Sequence, residues 1–588
     1  MAGNGWANAY YSAAVQAGRH DIGAFFFGSS DWGNSITVDK PPLSLWVMGL
    51  SVRLFGMNAW ALLLPQAVMT IASTLLIYRL ARRHLPASPA LLSAAVFAST
   101  PVTVLLARYN NPDPLMVLLM VSALYAGIRA TESGRTRFLY LAAFLLALGF
   151  LTKQLQAFLV LPAIALVFCV YAQKAWRARV VSLVLAGLVL AVGSLAWPLA
   201  VDLTPPDSRP YVGGSASNSM LELTVAYNGI DRVLQHEDDP LVSLIPQELR
   251  RVETDAGLFR LFNSNYGQEI GWLLLPALLA CIAIVITVVR GRYSRSKSIL
   301  AVCAVVWMIT TYLTLSFMGN NFHSYYTASL AAPLALCLGL GAELLTAPRQ
   351  SRLRRIGIAP AVVSSCIFSH AMWQLSAAYP QVLGTGLLLL GLIAGALLSV
   401  PAPVKWVHRT AAWLAIGSLL VGPAFCSTIA LVTPQEGSNP LSGGLSRNPN
   451  TLSGFLAGIK EGDPAWASGL AVGVTPSPVL SEYLRDGSPQ CTWAAATYPG
   501  QTAARFQLEI GRPVMPLGGF AATDPSPTLT QFKEWVQAGR ICHLVVQPEQ
   551  LKVPGNSTEL HQIHEWVTQT FRAEEKDGVT IYNLTANP

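Results

Sequence analysis

Charged residues are scarce in this sequence. They form 12% of its 588 residues, whereas a soluble domain carries roughly 25%. Hydrophobic residues form 52% of the chain, and the mean hydropathy is +0.44. This composition excludes an ordinary soluble protein and indicates an integral membrane protein. The net charge of +8 does not indicate a nucleic-acid partner, because the Lys and Arg residues fall in short clusters between apolar runs.

Metal-binding cysteine motifs are also missing. The sequence has 8 cysteines but no Cys-x-x-Cys pair and no Cys/His spacing typical of a metal site. Cysteines inside apolar runs are expected to pack as small core residues. These are Cys169, Cys281, Cys303, Cys337, Cys366 and Cys426. Cys491 and Cys542 lie in the polar tail, where an oxidising exterior permits a disulfide. Two cysteines of one domain need not be neighbours, so the unbonded alternative stays open.

Long apolar runs are abundant. A helix needs roughly 17 to 25 apolar residues to cross a bilayer. By residue number, the predicted spans are 60–83, 89–107, 112–130, 137–152, 156–172, 178–201, 267–290, 296–317, 325–346, 356–375, 380–400 and 411–433. Basic clusters follow every second span, the first at Arg79 and the last at Arg409. The positive-inside rule places these connections in the cytoplasm and all the unusual polar motifs on the opposite, outer face.

This topology divides the chain into four parts. Residues 1–59 form an extracytoplasmic loop with an interfacial helix, and residues 60–433 form a transmembrane domain with an outer loop, 202–266. A Pro-, Gly-, Ser- and Asn-rich linker, 434–455, leads to a small extracytoplasmic α/β domain, 456–588.

The beginning of the chain conflicts with this topology. Residues 1–59 must lie outside, yet the sequence opens MAGNGWANAYY, without the basic segment and apolar core of a signal peptide. We therefore expect the full protein to have a further membrane helix before Met1, and so thirteen spans. An upstream genomic sequence without an in-frame apolar stretch would contradict this expectation.

The stretch ITVDKPPL places Asp39 and Lys40 side by side before two prolines. The prolines exclude a regular helix through that point. The apolar segment 41–56 that follows is short and fits a helix lying along the membrane surface. An interfacial charge pair that anchors the turn is the structural alternative to a functional role for Asp39 and Lys40.

Three further polar motifs lie on the predicted outer face. Asp113 opens a span after proline, where helix capping is the structural alternative. Lys153 interrupts an apolar stretch, and snorkelling to the membrane surface would explain it. His323 precedes Tyr325 and Tyr326 in a short turn, and interface aromatics would explain the tyrosines but not the histidine.

These motifs together suit a lipid-linked phosphate at the bilayer surface. Lys40, Lys153 and Arg108 can hold a phosphate through charge-assisted hydrogen bonds. Asp39 and Asp113 can act as a general base or share a divalent cation. A sugar-phosphate donor leaves a lipid phosphate behind, so an enzyme must stabilise that anion with cations and deprotonate an acceptor hydroxyl with a carboxylate.

The cofactor question stays open at this level. No cofactor is certain, and a divalent cation is the one that the residues allow, with Asp39 and His323 as candidate ligands. His323 can otherwise assist phosphate binding or proton transfer, together with Tyr325 and Tyr326 on the donor side.

The order of these features resembles that of the GT-C membrane glycosyltransferases of family 39, in the branch of the protein O-mannosyltransferases and lipid A aminoarabinose transferases. Within it, the chain is similar to a bacterial subfamily of lipid-carrier-dependent glycosyltransferases. The strings that carry the resemblance are ITVDKPPLSLW, ARYNNPDPLMVLL, FLTKQLQAFLVLP, RPYVGGSASNS, NFHSYYTASLAAPLA and, in the tail, PVMPLGGFAATDPSPTLTQF. The resemblance runs from about residue 4 to the C-terminus.

The resemblance implies an inverting transfer from a polyprenyl-phosphate sugar to a cell-envelope glycan, lipid or protein, on the outer face of the plasma membrane. It also implies that Lys40 binds the carrier phosphate and that Asp39 helps to bind a metal ion. Three motifs match the pattern of the family. They are the acid–Lys–Pro motif Asp39-Lys40-Pro41, called the elbow below, Asp113-Pro114 and Thr152-Lys153.

One departure concerns the catalytic base. The family's first outer loop normally carries an Asp-Glu pair before an aromatic residue, whereas the segment from Trp6 to Tyr11 contains no acid. Asp31, Asp39 and Asp113 are then the available outer acids, and we favour Asp39 or Asp113.

The outer loop offers further candidates for the sugar or acceptor site. They are Arg209, Tyr211, Asn218, Tyr227 and Asn228. A loop that simply hydrogen-bonds to itself explains these residues equally well.

Two alternatives belong to other functional classes. A transporter or flippase of lipid-linked sugars needs polar or broken helices at mid-membrane and often inverted repeats, whereas here polarity collects on one face. An inactive scaffold is favoured only by the missing Asp-Glu pair. The sequence does not identify the sugar or the acceptor.

Overall fold

The protein is represented by a computed structural model that describes residues 1–225, 256–319, 323–346, 352–399, 405–448, 450–487, 490–553 and 555–585. Two predicted site residues, Tyr227 and Asn228, lie outside the described residues. Most of the chain that is described is helical, and a single small sheet lies in the tail.

Nine stretches of the described residues are long and apolar enough to cross a membrane. They are Ala59–Arg82, Asp113–Ser133, Thr136–Tyr171, Trp176–Leu203, Ser264–Val289, Arg295–Phe317, Ser324–Thr346, Gln381–Ser399 and Trp406–Val432. The prediction of a polytopic α-helical membrane protein with a small C-terminal α/β domain is confirmed.

The nine stretches and the twelve predicted spans differ at three places. The predicted span 89–107 is divided at Pro101 into the helices Ala87–Ser99 and Pro101–Leu106, because proline supplies no N–H for a continuous helix. The predicted span 356–375 corresponds to the helix Arg352–Gln374, which is not among the nine. The predicted spans 137–152 and 156–172 fall within one stretch, Thr136–Tyr171.

That stretch nevertheless crosses the bundle twice. It consists of the helix Thr136–Lys153, a 3-10 segment Gln154–Val160 and the helix Leu161–Tyr171. Lys153 contacts Asp113 at one end of the neighbouring helix Asp113–Ser133. At the other end, the Arg295 guanidinium donates to the carbonyl oxygens of Thr131 and Tyr171. The chain must therefore reverse direction in the 3-10 segment.

The basic connections meet at one end of the bundle. Arg83 forms an ion pair with Glu132 (2.7 Å), and Lys297 forms one with Glu343 (2.5 Å). We call this the basic end, defined by Arg83, Glu132, Arg295, Lys297 and Glu343. The opposite end, which carries Asp113, Lys153 and Tyr326, is called the site end below.

Residues 1–59 form a helical layer over the site end. Its helices are Ala9–His20, Ile22–Phe27 and Leu43–Phe55. The last of these has 13 residues, too few to cross a bilayer. It buries Leu45, Met48 and Val52 and exposes Leu50, Leu54 and Phe55. A position along the membrane surface stays a prediction for this helix.

The tail is a helix-rich α/β unit that packs on residues 1–59. Its strands are β1 (Ala495–Thr497), β2 (Val514–Pro516), β3 (His543–Val545), β4 (Ala573–Lys576) and β5 (Val579–Asn583), in the order β2-β1-β3-β5-β4. Strands β1, β2 and β3 are parallel, and β5 is antiparallel to β3 and β4. The helices are Leu452–Glu461, Ala465–Ala471, Pro478–Asp486, Gly500–Ile510, Leu529–Gln537 and Thr558–Thr570.

Local composition predicts helices at residues 532–539 and 563–571 of the tail and strands at residues 541–546 and 579–584. The structure has an element of the predicted type at each of these four places. Residues 532–539 and 563–571 fall largely on the helices Leu529–Gln537 and Thr558–Thr570, and residues 541–546 and 579–584 contain β3 and β5. Cys491 and Cys542 are joined by a disulfide with Cα atoms 5.8 Å apart, so the bonded alternative is the one observed.

Candidate active site

The elbow around Asp39 is held by the outer loop. Ile36 pairs with Tyr211 in a short parallel bridge, and the Thr37 N–H donates to the Tyr211 carbonyl (2.8 Å). The helix Leu43–Phe55 begins directly after the two prolines, which suit a helix start because they lack an N–H. Lys40 Nζ lies 2.8 Å from Asp39 Oδ2, and both side chains are mostly buried. The local sequence thus fixes an ion pair at the entrance to the helix.

A second ion pair lies in the interior of the site end. Lys153 Nζ contacts the two carboxylate oxygens of Asp113 at 2.8 and 2.6 Å. The Asp113 side chain is 0% exposed and that of Lys153 is 5% exposed. Neither structural alternative for these residues fits this geometry. The side chain of Asn111, rather than Asp113, accepts from a free N–H at the helix start, and Lys153 does not snorkel to the surface.

Aromatic rings enclose the second ion pair. Lys153 Nζ lies 4.1 Å from the ring centroid of Tyr326 and 5.0 Å from that of Tyr325. The His323 ring stacks on Tyr325 at 5.3 Å. The positive charge of a lysine is attracted to such ring faces, which stabilises its buried position.

The two ion pairs belong to one cluster. The ammonium group of Lys40 lies within electrostatic range of the Asp113 carboxylate. We therefore define the lysine cluster as Asp39, Lys40, Asp113, Lys153, His323, Tyr325 and Tyr326. It brings together seven candidates that the sequence spreads over the interval from residue 39 to residue 326.

Arg108 lies in a different cluster. Its guanidinium donates to the carbonyl oxygens of Ala430 and Leu431, at the end of the span Trp406–Val432, and to Asn4 Oδ1 (2.9 Å). The Asn4 side-chain amide donates back to the Arg108 carbonyl (2.8 Å). Burial lowers the pKa of Arg108. These contacts tie the first residues of the chain to a helix end, and they account for the burial of Arg108 without a phosphate.

The described part of the outer loop is internally bonded. Arg209 donates to the side-chain oxygen of Asn218 (2.8 Å) and to its carbonyl oxygen (2.7 Å), and the Tyr211 hydroxyl donates to Ser215 (2.7 Å). Burial lowers the pKa of Arg209 and raises that of Tyr211. Gly213 of the loop also packs against the residues that lead into the elbow, and the Gly213 N–H donates to the Thr37 hydroxyl (3.0 Å).

The sequence offers Asp39 and His323 as candidate ligands of a cation. Among the described residues, no group of three or more His, Cys, Asp or Glu side chains is arranged to hold a metal ion. Within this part of the chain, Asp39 and His323 are thus not joined by a further His, Cys, Asp or Glu side chain in a metal-binding arrangement.

Sequence reasoning missed two buried acids. Glu269 is 0% exposed and accepts from the backbone N–H of Ser442 (2.9 Å) and from its hydroxyl. Ser324, one residue after His323, lies close to it. The only signal in the sequence was a single acid at the start of an apolar run, GQEIGWLLLP.

The second missed acid is Asp524, in the tail. It is 8% exposed, and its Oδ2 atom accepts from the backbone N–H of Gly214 (2.9 Å) in the outer loop. Burial raises the pKa of Asp524 to about 7, and the charge of Asp39 adds to the increase. Asp524 lies in the string LGGFAATDPSP, which carries part of the family resemblance in the tail.

Two known families match parts of the chain. The family described as "Dolichyl-phosphate-mannose-protein mannosyltransferase" matches residues 39–197, a range that begins at the elbow and includes both ion pairs. The family described as "Putative mannosyltransferase YkcB-like, C-terminal" matches residues 480–570 of the tail.

Individual relatives extend these matches. The YkcB protein of Bacillus subtilis (strain 168) is 28% identical over 627 residues, which cover 91% of this chain and 84% of that protein. The undecaprenyl phosphate-alpha-4-amino-4-deoxy-L-arabinose arabinosyl transferase of Edwardsiella ictaluri (strain 93-146) is 30% identical over 178 residues, 29% of this chain and 32% of that enzyme.

A solved structure shares the fold. ArnT from Cupriavidus metallidurans, crystallised with undecaprenyl phosphate, aligns with a TM-score of 0.53 and 16% identity over 100% of this chain and 96% of that chain. The fold is thus that of a multi-pass GT-C membrane protein. The chain is thus similar in sequence to mannosyltransferases and arabinosyl transferases, and similar in fold to ArnT.

Proposed function

We propose that the protein transfers a sugar, with inversion, from a polyprenyl-phosphate carrier to a hydroxyl group of a cell-envelope acceptor. The observation that carries this proposal is the convergence of Lys40 and Lys153 in one cluster at the site end. The undecaprenyl phosphate-linked sugar that names the arabinosyl transferase relatives and the undecaprenyl phosphate bound in the ArnT crystal structure support a lipid phosphate as the carrier.

The lysines suit the leaving group of this reaction. When the bond between the sugar and the phosphate breaks, negative charge develops on the phosphate oxygen, and a fixed cation nearby stabilises it. Asp39 and Asp113 hold the two ammonium groups in place before the donor binds, so little reorganisation is needed. The rings of His323, Tyr325 and Tyr326 complete the wall around Lys153.

The proposed location is the outer face of a bacterial plasma membrane. The connections rich in Lys and Arg gather at the basic end, which the positive-inside rule places in the cytoplasm. The lysine cluster then lies at the outer headgroup level, where a carrier phosphate is presented and where bulk membrane lipids are the neighbours.

The first test is Lys40→Ala, compared with Lys297→Ala. Both substitutions remove a lysine from an ion pair, but Lys297 pairs with Glu343 at the basic end. We expect Lys40→Ala to reduce transfer from a radiolabelled polyprenyl-phosphate sugar in proteoliposomes by about 100-fold or more, as for other lost transition-state contacts. Lys297→Ala should retain activity within about threefold. Equal activity of the two variants would refute phosphate binding by Lys40.

Lys153 needs a paired substitution. Lys153→Ala alone leaves the Asp113 charge buried without its lysine, which costs about 3–5 kcal/mol of stability. The double variant Lys153→Met with Asp113→Asn removes both charges. It should keep a melting temperature near that of the unmodified protein and still lose transfer. A stable, fully active double variant would remove this pair from the mechanism.

A further inference from the structure

A glycine-rich loop of the tail reaches the lysine cluster. This tail loop, residues 517–528, turns sharply at Gly518 and Gly519, whose φ values are +72° and +71°. Backbone hydrogen bonds close it upon itself, from Gly518 to Ser526 (2.8 Å) and from Asp524 to Gly518 (3.0 Å). Ala522 has a φ of 63°, a conformation that costs free energy for a residue other than glycine. The loop is therefore built to hold one shape.

That shape places Asp524 at the junction of three segments. A Cβ atom on Gly519 would clash with Asp524 Oδ2 and lie 3.1 Å from Ile36 Cδ1, so the carboxylate lies over the residues that lead into the elbow. The Gly214 N–H of the outer loop fixes Oδ2. The tail, the outer loop and the elbow thus meet around one carboxylate.

The tail loop also packs where the family's acid is expected. Phe520 makes an edge-to-face contact with Tyr10 at 5.4 Å, and Tyr10 donates to the Thr37 carbonyl (3.3 Å). Tyr10 belongs to the segment from Trp6 to Tyr11, which contains no acid. The tail therefore brings a carboxylate beside a segment that has none of its own.

Asp524 differs from the acids of the lysine cluster. Asp39 and Asp113 each contact a lysine, and protonation of either would break an ion pair. Asp524 forms no ion pair with any Lys, Arg or His of the described residues, and within that part of the chain its Oδ1 atom accepts no hydrogen bond. The Gly214 N–H thus holds Oδ2, while Oδ1 is available to a substrate.

We propose that Asp524 is the general base that accepts the proton of the acceptor hydroxyl. This inference rests on the proposed transferase function. The acceptor O–H bond breaks and its proton goes to Asp524 Oδ1, while the oxygen forms a bond to the anomeric carbon of the sugar. The bond from that carbon to the phosphate oxygen breaks, and its electron pair leaves with the carrier phosphate, whose charge Lys40 offsets. Water or buffer later removes the proton from Asp524.

The direct test compares Asp524→Asn with Asp577→Asn. Asparagine keeps the shape of Asp524 and can accept from Gly214, but it cannot accept the acceptor proton. We expect kcat to fall about 10²- to 10⁴-fold, the usual contribution of a general base, with the KM for the donor changed less than about threefold. Asp577 lies exposed in the β4–β5 turn, so Asp577→Asn removes the same charge from the same domain and should leave kcat unchanged.

The pH profile separates a base from a structural residue. A base with a pKa near 7 makes kcat/KM rise with pH up to about 7 and level off above it. The charged or titratable neighbours of Asp524 are Asp39, which is paired with Lys40, and Tyr211. Asp524→Asn should lose this rise, and formate should restore part of the activity of Asp524→Ala. A merely structural role predicts an unchanged profile and no rescue.

The outcomes distinguish this inference from the proposed function. If Lys40→Ala is inactive while Asp524→Asn retains activity within about threefold and keeps the rise with pH, the base lies elsewhere and the transferase function stands. If the unmodified protein transfers no sugar from any polyprenyl-phosphate donor tested, both proposals fail. Binding of undecaprenyl phosphate by Asp524→Asn, measured by protection against thermal unfolding, should match the unmodified protein and excludes misfolding as the cause of lost activity.

Discussion

The buried carboxylate of Asp524 lowers the stability of the folded protein at neutral pH, whereas an uncharged residue would not. Burial raises its pKa from 3.8 to about 7, so the folded state binds the proton more tightly than the unfolded state does. Its contribution to stability is therefore greatest below pH 3.8 and is lost as the pH rises through about 7. A protein that keeps such a residue gives up stability at neutral pH, as is common at sites that need a reactive group.

The direction of this pKa shift gives a prediction for the stability of Asp524→Asn that is independent of catalysis. The variant should be more stable than the unmodified protein above pH 7, by about 4 kcal/mol as an upper limit, because asparagine has no charge to bury. The gain should shrink as the pH falls towards 4. Melting temperatures in detergent at several pH values measure it. A difference that stays constant from pH 5 to pH 8 would show that the charge is not responsible.

The positions of the site residues were more predictable than their pairings. Asp39, Lys40, Asp113, Lys153 and His323 could be assigned to one face because each interrupts an apolar context where charge is costly. The partner of Lys153 could not be read from the sequence, because it depends on how two antiparallel helices are aligned. Asp524 could not be singled out from the sequence, because the tail has the composition of an ordinary soluble domain, in which acidic residues are common.

Among the structural elements, the tail and the layer of residues 1–59 are joined by a specific clamp. Trp493 Nε1 donates to Asp31 Oδ1 (2.7 Å), and Asp31 also accepts from Ser35. Asp31 is 0% exposed, and burial raises its pKa. Gly33 lies against the indole ring so closely that a Cβ atom there would overlap it. The clamp fixes the position of the tail loop relative to the elbow.

Gly33→Ala should therefore reduce activity without touching the lysine cluster. The added methyl group must displace the Trp493 ring and break its hydrogen bond to Asp31, which leaves a buried carboxylate short of a donor and costs about 1–3 kcal/mol or more. We expect a lower melting temperature and a lower rate of sugar transfer.

The matched control for this substitution is Gly3→Ala. No atom lies within 4 Å of a Cβ placed there, so both the melting temperature and the rate should stay close to those of the unmodified protein. If Gly33→Ala behaves in the same way as Gly3→Ala, the clamp does not position the tail loop.

Helices were predictable where a single physical signal dominates. A continuous apolar run suffices to predict a span, and the local composition of each segment sufficed for β3, β5 and the two tail helices. The turn at Gln154 was harder to predict. Its φ is 50°, and the composition around a non-glycine residue does not indicate such a conformation. The division at Pro101 had a visible cause, but a proline inside a run of apolar residues does not by itself show whether a helix bends or ends.

At the scale of the whole molecule, the two ends of the helix bundle differ in their charged residues, and this difference bears on the orientation of the protein in the membrane. The basic end carries Arg83, Arg295 and Lys297, and the site end carries the two Asp–Lys ion pairs, the outer loop and the tail. The disulfide between Cys491 and Cys542 belongs to the tail, and such bonds persist in oxidising compartments. Charge and redox chemistry therefore favour the same orientation, with the site end outside.

Single engineered cysteines test this orientation directly. Ser133 is exposed at the basic end and Thr568 is exposed in the tail, whereas the free native cysteines are buried or half-buried. A membrane-impermeant maleimide added to intact spheroplasts should label Thr568→Cys and should label Ser133→Cys only after the membrane is permeabilised, if the basic connections lie in the cytoplasm as the positive-inside rule predicts. Labelling in the reverse pattern would place the lysine cluster and Asp524 on the cytoplasmic face and would exclude an acceptor in the cell envelope.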